Sequence, residues 1–462
     1  MSATVASTTE GVAASPSDEG FDFVVREGAY VYPLCAPSAG WGSTLSGTRL
    51  ASVYALRRLG SNGACELVAE AELRTMPTHP QETALLFSLA KEALIRQGCC
   101  NWVGRPTDLP GPARIPVVGV RAQLRRIWAR WSMAVRRRAL ARTSRLVTQW
   151  SIGVLPRAAF TLGPTFPWRH VRWIEPPTDG MIADPFLVND GAQTLLFYER
   201  LLFSEGKGTL WVANVDPDHG TLINAREALR TDCHLSFPQV FKQGDDWFLL
   251  AEQSRSGSTS LFRATEFPHR WQNYRDLLPD FPGVDPTLFR HAGKWWLFVT
   301  YGMYPCNENN LHLFVADSLD DQFVAHPMNP IKVGLRGSRM AGGLCELDGK
   351  LVRPGQDGTE RYGGGVVMFE ILQLDERVYA EREVVGWHAD PRGEFNLAFH
   401  SFAVTRDLIA VDGERMQRSR ARLLGRQPRD PARVATSTAW DELAPGMEIS
   451  RLRAQRPGED GA

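Results

Sequence analysis

The 462-residue sequence lacks several features that mark common classes of protein. It has no run of 18 apolar residues, so no membrane-spanning helix is predicted, and no Asn-x-Ser/Thr acceptor site for glycosylation. Its first twenty residues lack the basic start and apolar stretch of a signal peptide. Its formal net charge is zero, so charge gives no indication of a nucleic-acid partner. These absences predict a soluble cytoplasmic protein.

Cysteine chemistry and cofactor motifs are equally sparse. Seven scattered cysteines form no CxxC pair, which indicates reduced thiols rather than a disulfide framework. Cys233 and His234 are adjacent, but no second pair has metal-ligand spacing, so no metal site is predicted. The phosphate-loop motif GxxxxGK[ST] is absent, and no cofactor is predicted.

The first part of the chain divides by composition. Residues 1–20 are small and polar and are predicted to be disordered, and residues 21–103 form a small α/β segment. Alternating apolar residues predict strands over Thr48–Arg58 and Glu66–Arg74, and helical spacing predicts a helix over Gln81–Arg96. Two strands and a helix bury too little surface to fold alone, so we expect this segment to dock on the remainder.

Residues 104–150 are interpreted as a Pro- and Gly-rich linker followed by a basic amphipathic helix. Arg121–Arg145 contains nine arginines, no acidic residue, and apolar residues every three or four positions. Two interpretations stay open: the tryptophans pack on the rest of the protein, or the segment contacts an anionic membrane at the inner face. No nucleic-acid-binding fold signature accompanies it. Residues 417–462 are predicted to be a mobile basic and polar tail.

Beyond residue 180 the sequence repeats with a period near 50. The corner prolines Pro185, Pro238 and Pro286 lie 53 and 48 residues apart, and each is followed by an apolar strand, a tight turn and an aromatic strand. This pattern predicts a mainly β fold, a five-bladed β-propeller over residues 151–416, rather than a β-sandwich. The five units are Ala183–Glu199, Ser236–Glu252, Val284–Thr300, Ser338–Asp357 and Phe399–Arg415.

The repeated corners of a propeller converge on one funnel, which brings distant polar residues together. Glycosidic-bond chemistry needs one carboxylic acid and one carboxylate, and arginines orient them. The Asp-Pro corners have a second interpretation, in which Asp caps the turn. The candidate catalytic carboxylates are Asp184, Glu252 and Asp285. The candidate substrate-binding residues are His234, Ser236, Arg339, Arg353, Gln356, Asp357, Tyr362 and His400.

The motifs IADPFLV, HLSFPQVF, LLAEQS, VDPTLF, KWWLFVT, SRMAGG and RPGQD occur in a familiar order. Over about residues 150–415 the chain resembles the N-terminal domain of plant glucosamine inositolphosphorylceramide transferase and its bacterial relatives. The resemblance implies a propeller similar to those of arabinanases and β-fructosidases. Residues 21–98 are similar to the trailing part of a sugar formyltransferase fold, whose leading, folate-binding half has no counterpart here.

We therefore expect a carbohydrate-active protein of surface-polysaccharide or glycolipid assembly that transfers a glycosyl group. Its substrate would be a sugar or oligosaccharide, in activated or lipid-linked form. Two alternatives stay open: a furanosidase-like glycoside hydrolase, and a non-catalytic glycan-binding propeller. Where the arabinanase-like pattern has Asp in the second blade, this sequence has Ser236-Phe237-Pro238.

Overall fold

The computed structural model describes residues 21–27, 30–33, 50–59 and 64–75, helical residues between 83 and 94, and residues 146–418 apart from 192 and 303–306. The predicted disorder of residues 1–20, the linker and basic helix up to residue 145, and the predicted tail after residue 418 lie outside the described residues. None of the helices in the described ranges is long and apolar enough to cross a membrane.

The N-terminal segment forms a four-stranded antiparallel sheet in the order β2-β1-β3-β4. Its strands are β1 (Phe21–Glu27), β2 (Tyr30–Pro33), β3 (Leu50–Leu59) and β4 (Ala64–Arg74). The β3–β4 hairpin confirms the two predicted strands, whereas β1 and β2 were not predicted because only the longer pair stands out by its alternation and turn signal. Helical residues, among them Phe87 and Leu94, share a buried core with this sheet.

This sheet docks on the propeller, as its small size led us to expect. Val333 of the propeller belongs to the same apolar cluster as Val25 and Leu73. The backbone N–H of Leu335 donates to the carbonyl of Glu72 at 2.8 Å. The contact therefore combines apolar burial with a backbone hydrogen bond.

Residues 146–418 form five separate antiparallel sheets, which confirms the five-bladed propeller. The first two strands, β5 (Leu146–Pro156) and β6 (Arg172–Trp173), belong to the last blade. Because β5 starts at Leu146, the propeller extends five residues into the segment assigned above to linker and helix. The 3-10 helices Arg157–Ala159, Trp168–His170 and Ser254–Ser256 lie in its connections.

The first three blades run outward from the channel in sequence order. Blade 1 contains β7 (Gly180–Asn189), β8 (Thr194–Leu202), β9 (Lys207–Asp216) and β10 (Thr221–Leu229). Blade 2 contains β11 (Ser236–Gln243), β12 (Asp246–Glu252), β13 (Thr259–Glu266) and β14 (Arg270–Leu278). Blade 3 contains β15 (Gly283–His291), β16 (Lys294–Tyr301), β17 (Asn310–Ala316), β18 (Val324–Ala325) and β19 (Lys332–Val333).

The last two blades complete the ring. Blade 4 contains β20 (Arg336–Met340), β21 (Cys345–Leu347), β22 (Lys350–Asp357), β23 (Gly365–Leu374) and β24 (Tyr379–His388). Blade 5 contains β25 (Phe402–Val404) and β26 (Leu408–Arg418), and β26 pairs with β5 along its whole length. This pairing of the first and last strands closes the propeller.

Aromatic side chains fill the space between the blades. Trp296, Phe197 and Phe298 are buried in one apolar cluster, and Trp247 stacks on Phe267 with ring centroids 4.0 Å apart. Each large ring removes much apolar surface from water, so the aromatic-rich strands stabilise the contacts between blades. The inner strands β7, β11, β15 and β20 contact one another in turn and line the channel.

Candidate functional site

Three inner strands carry the same backbone distortion at their corners. Asp184, Phe237 and Asp285 have left-handed φ angles of 52°, 50° and 48°, and each precedes a proline. The pairing register of each strand shifts at this point. Left-handed backbone is unfavourable for residues other than glycine and persists only where the surroundings hold it. Its repetition at three equivalent corners marks this end of the channel as a candidate site.

Carboxylates hold all three corners. The backbone N–H of Asp184 donates to Asp412 Oδ2 at 3.3 Å, that of Phe237 to Asp184 Oδ2 at 3.2 Å, and that of Asp285 to Glu252 Oε2 at 3.4 Å. Each carboxylate comes from a neighbouring blade. The predicted capping of the corners by carboxylates therefore occurs, but each carboxylate caps the corner of the next blade. These hydrogen bonds bring the acidic side chains together in one cluster.

Arg339 joins two of the candidate catalytic carboxylates. Its Nε donates to Asp285 Oδ2 at 2.7 Å, and its Nη2 lies 3.6 Å from Glu252 Oε2. Gln356 donates to the same Asp285 oxygen at 2.8 Å. The guanidinium also lies over the ring of Tyr362, 5.2 Å from its centroid. Four predicted site residues are thus brought around Asp285, which is held by charge-assisted hydrogen bonds.

Burial raises the pKa of three carboxyl groups of the cluster, Glu252, Asp184 and Glu199. Burial and the charge of Asp285 raise the pKa of Glu252 to about 8, against the opposing effect of Arg339. Burial raises the pKa of Asp184 to about 6, although the charge of His400 lowers it. Glu252 therefore carries a proton at neutral pH, the state that a general acid requires.

His400 supplies positive charge at the other side of the cluster. Its Nδ1 lies 2.6 Å from Asp412 Oδ2, and its Nε2 lies 3.7 Å from Asp184 Oδ1. Burial lowers the pKa of His400, but the charges of Asp412 and Asp184 outweigh burial and raise it to about 9. The ring stacks on Trp150 at 4.2 Å. His400 is thus an imidazolium at neutral pH.

Sequence reasoning missed Asp412 and Ser401. The carboxylate of Asp412 accepts hydrogen bonds from the backbone of His400 and Ser401, each at 3.0 Å, and the Ser401 hydroxyl donates to Asp184 Oδ1 at 3.0 Å. A signal was available, since Asp412 follows the apolar strand LIAV as Glu252 follows FLLA. The fifth repeat was too weak for this correspondence to stand out.

Asp184, His400 and Asp412 are also the one group in the described ranges with three potential metal-ligand atoms within 4.8 Å of one another. In the observed arrangement a nitrogen of His400 already contacts Asp412. The positive charge of the His400 imidazolium thereby balances the two carboxylates, Asp184 and Asp412, as a metal ion would. The prediction that no metal binds stays a prediction.

His234 and Ser236 lie at the entrance of blade 2. Ser236 is buried and pairs in register with Glu252. His234 Nδ1 accepts the backbone N–H of Gly208 at 2.9 Å, and its Nε2 lies 3.4 Å from Glu199 Oε1. Both predicted residues therefore contact the carboxylate cluster or its immediate neighbours.

The structure places Arg353 and Asp357 away from this cluster, and the expectation that both bind substrate stays a prediction. Arg353 is fully buried and forms two hydrogen bonds to Glu381, at 2.7 and 2.8 Å. Asp357 pairs with Arg336 and accepts the Thr359 hydroxyl at 2.6 Å. Side chains alternate along a strand, so when Gln356 of β22 faces Asp285, residues 353 and 357 face away.

A narrow cleft leads from the cluster toward the N-terminal sheet. Its lining includes Glu308, Leu335, Arg339, Gln356, Gly358 and Tyr362. Arg74 of β4 reaches this wall, with Nε 2.8 Å from Glu308 Oε2 and Nη2 donating to the Gly358 carbonyl at 3.0 Å. The N-terminal sheet therefore supports one side of the cleft.

These features define a class of protein: a five-bladed propeller with a buried acid cluster at one end of its channel. Residues 174–396 match the family model described as the N-terminal part of glucosamine inositolphosphorylceramide transferase 1. Relatives of that name share 32% identity over 214 residues in Oryza sativa subsp. japonica and 31% over 258 residues in Arabidopsis thaliana. These alignments cover 44% and 51% of this chain. The resemblance inferred for the propeller is confirmed.

The chain spans about a third of the length of these relatives, with 29% and 34% of them covered. Among solved structures, a family 117 glycoside hydrolase from Zobellia galactanivorans is 14% identical, with a TM-score of 0.37 over 60% of this chain and 92% of that one. A GH43_1 enzyme from Xanthomonas citri complexed with xylotriose is 14% identical, with a TM-score of 0.33 over 42% and 70%. The formyltransferase-like character of residues 21–98 stays a prediction.

Proposed function

We propose that the protein is carbohydrate-active and transfers a glycosyl group at the acid cluster, in the assembly of a surface polysaccharide or glycolipid. The match of residues 174–396 to the N-terminal part of a glycosyl-transferring relative supports a sugar substrate. The observation that carries the proposal is the buried Glu252, whose pKa is raised by that burial, next to an Asp285 held by Arg339. Such a pair has the acid and the carboxylate that glycosidic-bond chemistry requires.

In the proposed step Glu252 donates its proton to the oxygen of the leaving group as the bond from the sugar to that oxygen breaks. The acceptor hydroxyl forms the new bond to the same sugar carbon and releases its proton to the carboxylate of Asp285. The proton count balances, since one carboxyl group loses a proton and another gains one. Arg339 orients Glu252 and Asp285, because it lies close to both.

In this scheme His400 and Asp412 contact Asp184 and hold its side chain in place. The imidazolium and the Ser401 hydroxyl contact Asp184 Oδ1, while the Phe237 N–H contacts Oδ2. These contacts leave Asp184 little freedom to turn. They favour Asp184 as a fixed, negatively charged group that stabilises positive charge developing on the sugar.

The experiment is a titration of the purified full chain with UDP-glucose, UDP-N-acetylglucosamine, glucosamine and a β-linked galactotriose, with products followed by mass spectrometry. A heavier glycan is the expected product. The Glu252→Gln variant should form it about 10²- to 10⁴-fold more slowly, the usual contribution of a general acid. Glu266→Gln is the matched control, because Glu266 lies in the same blade with a 65% exposed side chain.

The other outcomes separate the alternatives. Shorter products without an activated donor would indicate a furanosidase-like hydrolase. Saturable binding without any change of mass would indicate a glycan-binding propeller. Full transfer activity in Glu252→Gln would contradict the role assigned to Glu252.

We also infer action in the cytoplasm at the inner membrane face, because Arg121–Arg145 combines nine arginines with tryptophans and no acidic residue. The full chain should sediment with phosphatidylglycerol vesicles and not with phosphatidylcholine vesicles. Deletion of residues 121–145 should abolish this sedimentation, and unchanged sedimentation would refute the membrane contact.

A further inference from the structure

Glu199 and Glu252 occupy the same position in consecutive blades. Each lies on the second strand of its blade, Glu199 opposite Ala183 and Glu252 opposite Ser236. Both belong to the acid cluster, since Asp184 and Asp285 act electrostatically on each of them. The two side chains are therefore direct counterparts, and their contacts can be compared.

The contacts differ. Glu252 accepts the backbone N–H of Asp285 at 3.4 Å and the Ser254 hydroxyl at 3.3 Å. The equivalent N–H in the next corner, that of Phe237, goes to Asp184 instead of Glu199. Glu199 Oε1 is left buried without a hydrogen-bond partner among the described residues, and its side chain is only 7% exposed.

Gly208 and His234 lie against the carboxyl group of Glu199 and leave room for it. Gly208 lies directly against it: a Cβ at this position would be 2.4 Å from Glu199 Oε1 and 2.5 Å from the Leu235 carbonyl. The Gly208 N–H also binds His234 Nδ1, so the neutral imidazole carries its proton on Nε2. That nitrogen lies 3.4 Å from Glu199 Oε1 and faces it without hydrogen-bond geometry.

A buried carboxyl oxygen without a partner lowers stability, so its retention needs a reason outside the folded chain itself. We propose that Glu199, backed by His234 and given room by Gly208, binds a hydroxyl group of the sugar in the acid cluster. The sugar O–H donates to Oε1, the acceptor that the protein leaves free. This inference rests on the proposed function for its substrate class, but it assigns a positioning residue that the acid/base step does not use.

The test combines sugar binding with stability. Glu199→Met removes the acceptor at similar volume, and Glu199→Gln keeps a carbonyl acceptor in the same place. In titrations with the four probes named above, Met should weaken binding about 10- to 100-fold, the loss expected for a hydrogen bond of this kind. Gln should stay within about threefold of the native protein, because it can still accept the sugar hydroxyl.

The melting temperature distinguishes a binding role from a structural one. Replacing an unpartnered buried carboxyl by an apolar side chain is neutral or stabilising, so Glu199→Met should melt at the native temperature or about 2–4 °C higher. Glu266→Met, at an exposed position of blade 2, is the control for the substitution itself.

The remaining outcomes overturn the inference, the proposed function, or both. Native-like binding by Glu199→Met, or a lowered melting temperature, would show that Glu199 does not serve the sugar. Equal losses in Met and Gln would indicate a cationic partner instead of a hydroxyl. Binding without transfer would refute only the proposed transferase activity, whereas no binding of any probe by the native protein would refute both.

Discussion

Arg339 and Arg353 are two buried arginines of blade 4, and each lies beside carboxylates. Arg353 is fully buried, and its guanidinium donates hydrogen bonds to both carboxylate oxygens of Glu381. The guanidinium also lies 4.7 Å from the centroid of the Phe369 ring. Arg339 retains 13% exposure, donates to one oxygen of Asp285, and faces the cleft. Among the described residues, all three nitrogens of the Arg353 guanidinium have hydrogen-bond partners, whereas only the Nε of Arg339 donates a hydrogen bond.

The carboxylates beside them respond in opposite ways. Burial raises the pKa of Glu381, but the charges of Arg353 and Lys332 outweigh burial and lower it to about 2. Burial, followed by the influence of Asp285, raises the pKa of Glu252 to about 8, although Arg339 lowers it. The buried Arg353–Glu381 ion pair, in which each charge is matched, stabilises the fold. In the acid cluster the carboxyl groups outnumber the cations, so a carboxyl group there keeps its proton and can act as an acid.

The largest effect that would test this comparison is expected at Arg353. Arg353→Met leaves Glu381 as a buried charge with too few partners, so the free energy of unfolding should fall by about 3–5 kcal/mol. Adding Glu381→Met should restore much of the loss, since the pair is then replaced by apolar side chains. Urea unfolding of the single and double variants measures both, and additive losses would contradict the assignment of this pair to stability.

The pH dependence of unfolding should separate the two glutamates. The stabilisation by Glu381, whose pKa is lowered from 4.5 to about 2, is present above pH 4.5 and lost as the pH falls through 2. For Glu252, raised from 4.5 to about 8, stability is full below pH 4.5 and declines as the pH rises through 8. At about 1.4 kcal/mol per pKa unit, the limb of Glu381 should be about 3 kcal/mol and that of Glu252 about 5 kcal/mol. Glu252→Gln should reduce the limb between pH 4.5 and 8, to which Asp184 also contributes, and leave the acid limb of Glu381 unchanged.

A smaller effect is expected from Arg339→Lys. Lysine keeps the charge near Asp285 but loses the planar fork that also reaches Glu252, so kcat/KM for transfer should fall about 10- to 30-fold with a melting temperature close to native. The same substitution at Arg353 should lower the melting temperature instead. Matching losses of stability in both variants would remove the distinction.

The smallest effect concerns the N-terminal sheet. Arg74→Ala removes a partly exposed ion pair with Glu308, so stability should fall by only about 0.2–1 kcal/mol. Because Glu308 and Gly358 line the cleft, KM should rise while kcat stays near native. Steady-state kinetics measures this split, and an unchanged KM would show that the sheet does not shape the cleft.

The sequence indicated which residues meet where a single strand pattern was enough, and it could not indicate this where strand alternation or contacts between blades decide the placement. Asp184, Asp285 and Glu252 could be predicted because they repeat at corners and strand ends, and the structure brings all three together. Arg353 and Asp357 come from the same strand as Gln356 but face the opposite side. Applying the alternation of β22 to the motif RPGQD would have placed both on the face opposite Gln356.

The sequence by itself determined the repeating unit and hence the five blades, because a period near 50 with matched Pro corners allows few other folds. Only the tertiary structure decided which carboxylates are neutral, which arginine is saturated, and which acceptor is left free. Those properties depend on contacts between blades: Asp412 reaches Asp184 across 228 residues, and Phe237 takes Asp184 in place of Glu199. The pKa of each carboxyl group in the cluster depends on its burial and on the charges of all these neighbours. The neighbours come from different blades, so no single stretch of the sequence determines the pKa.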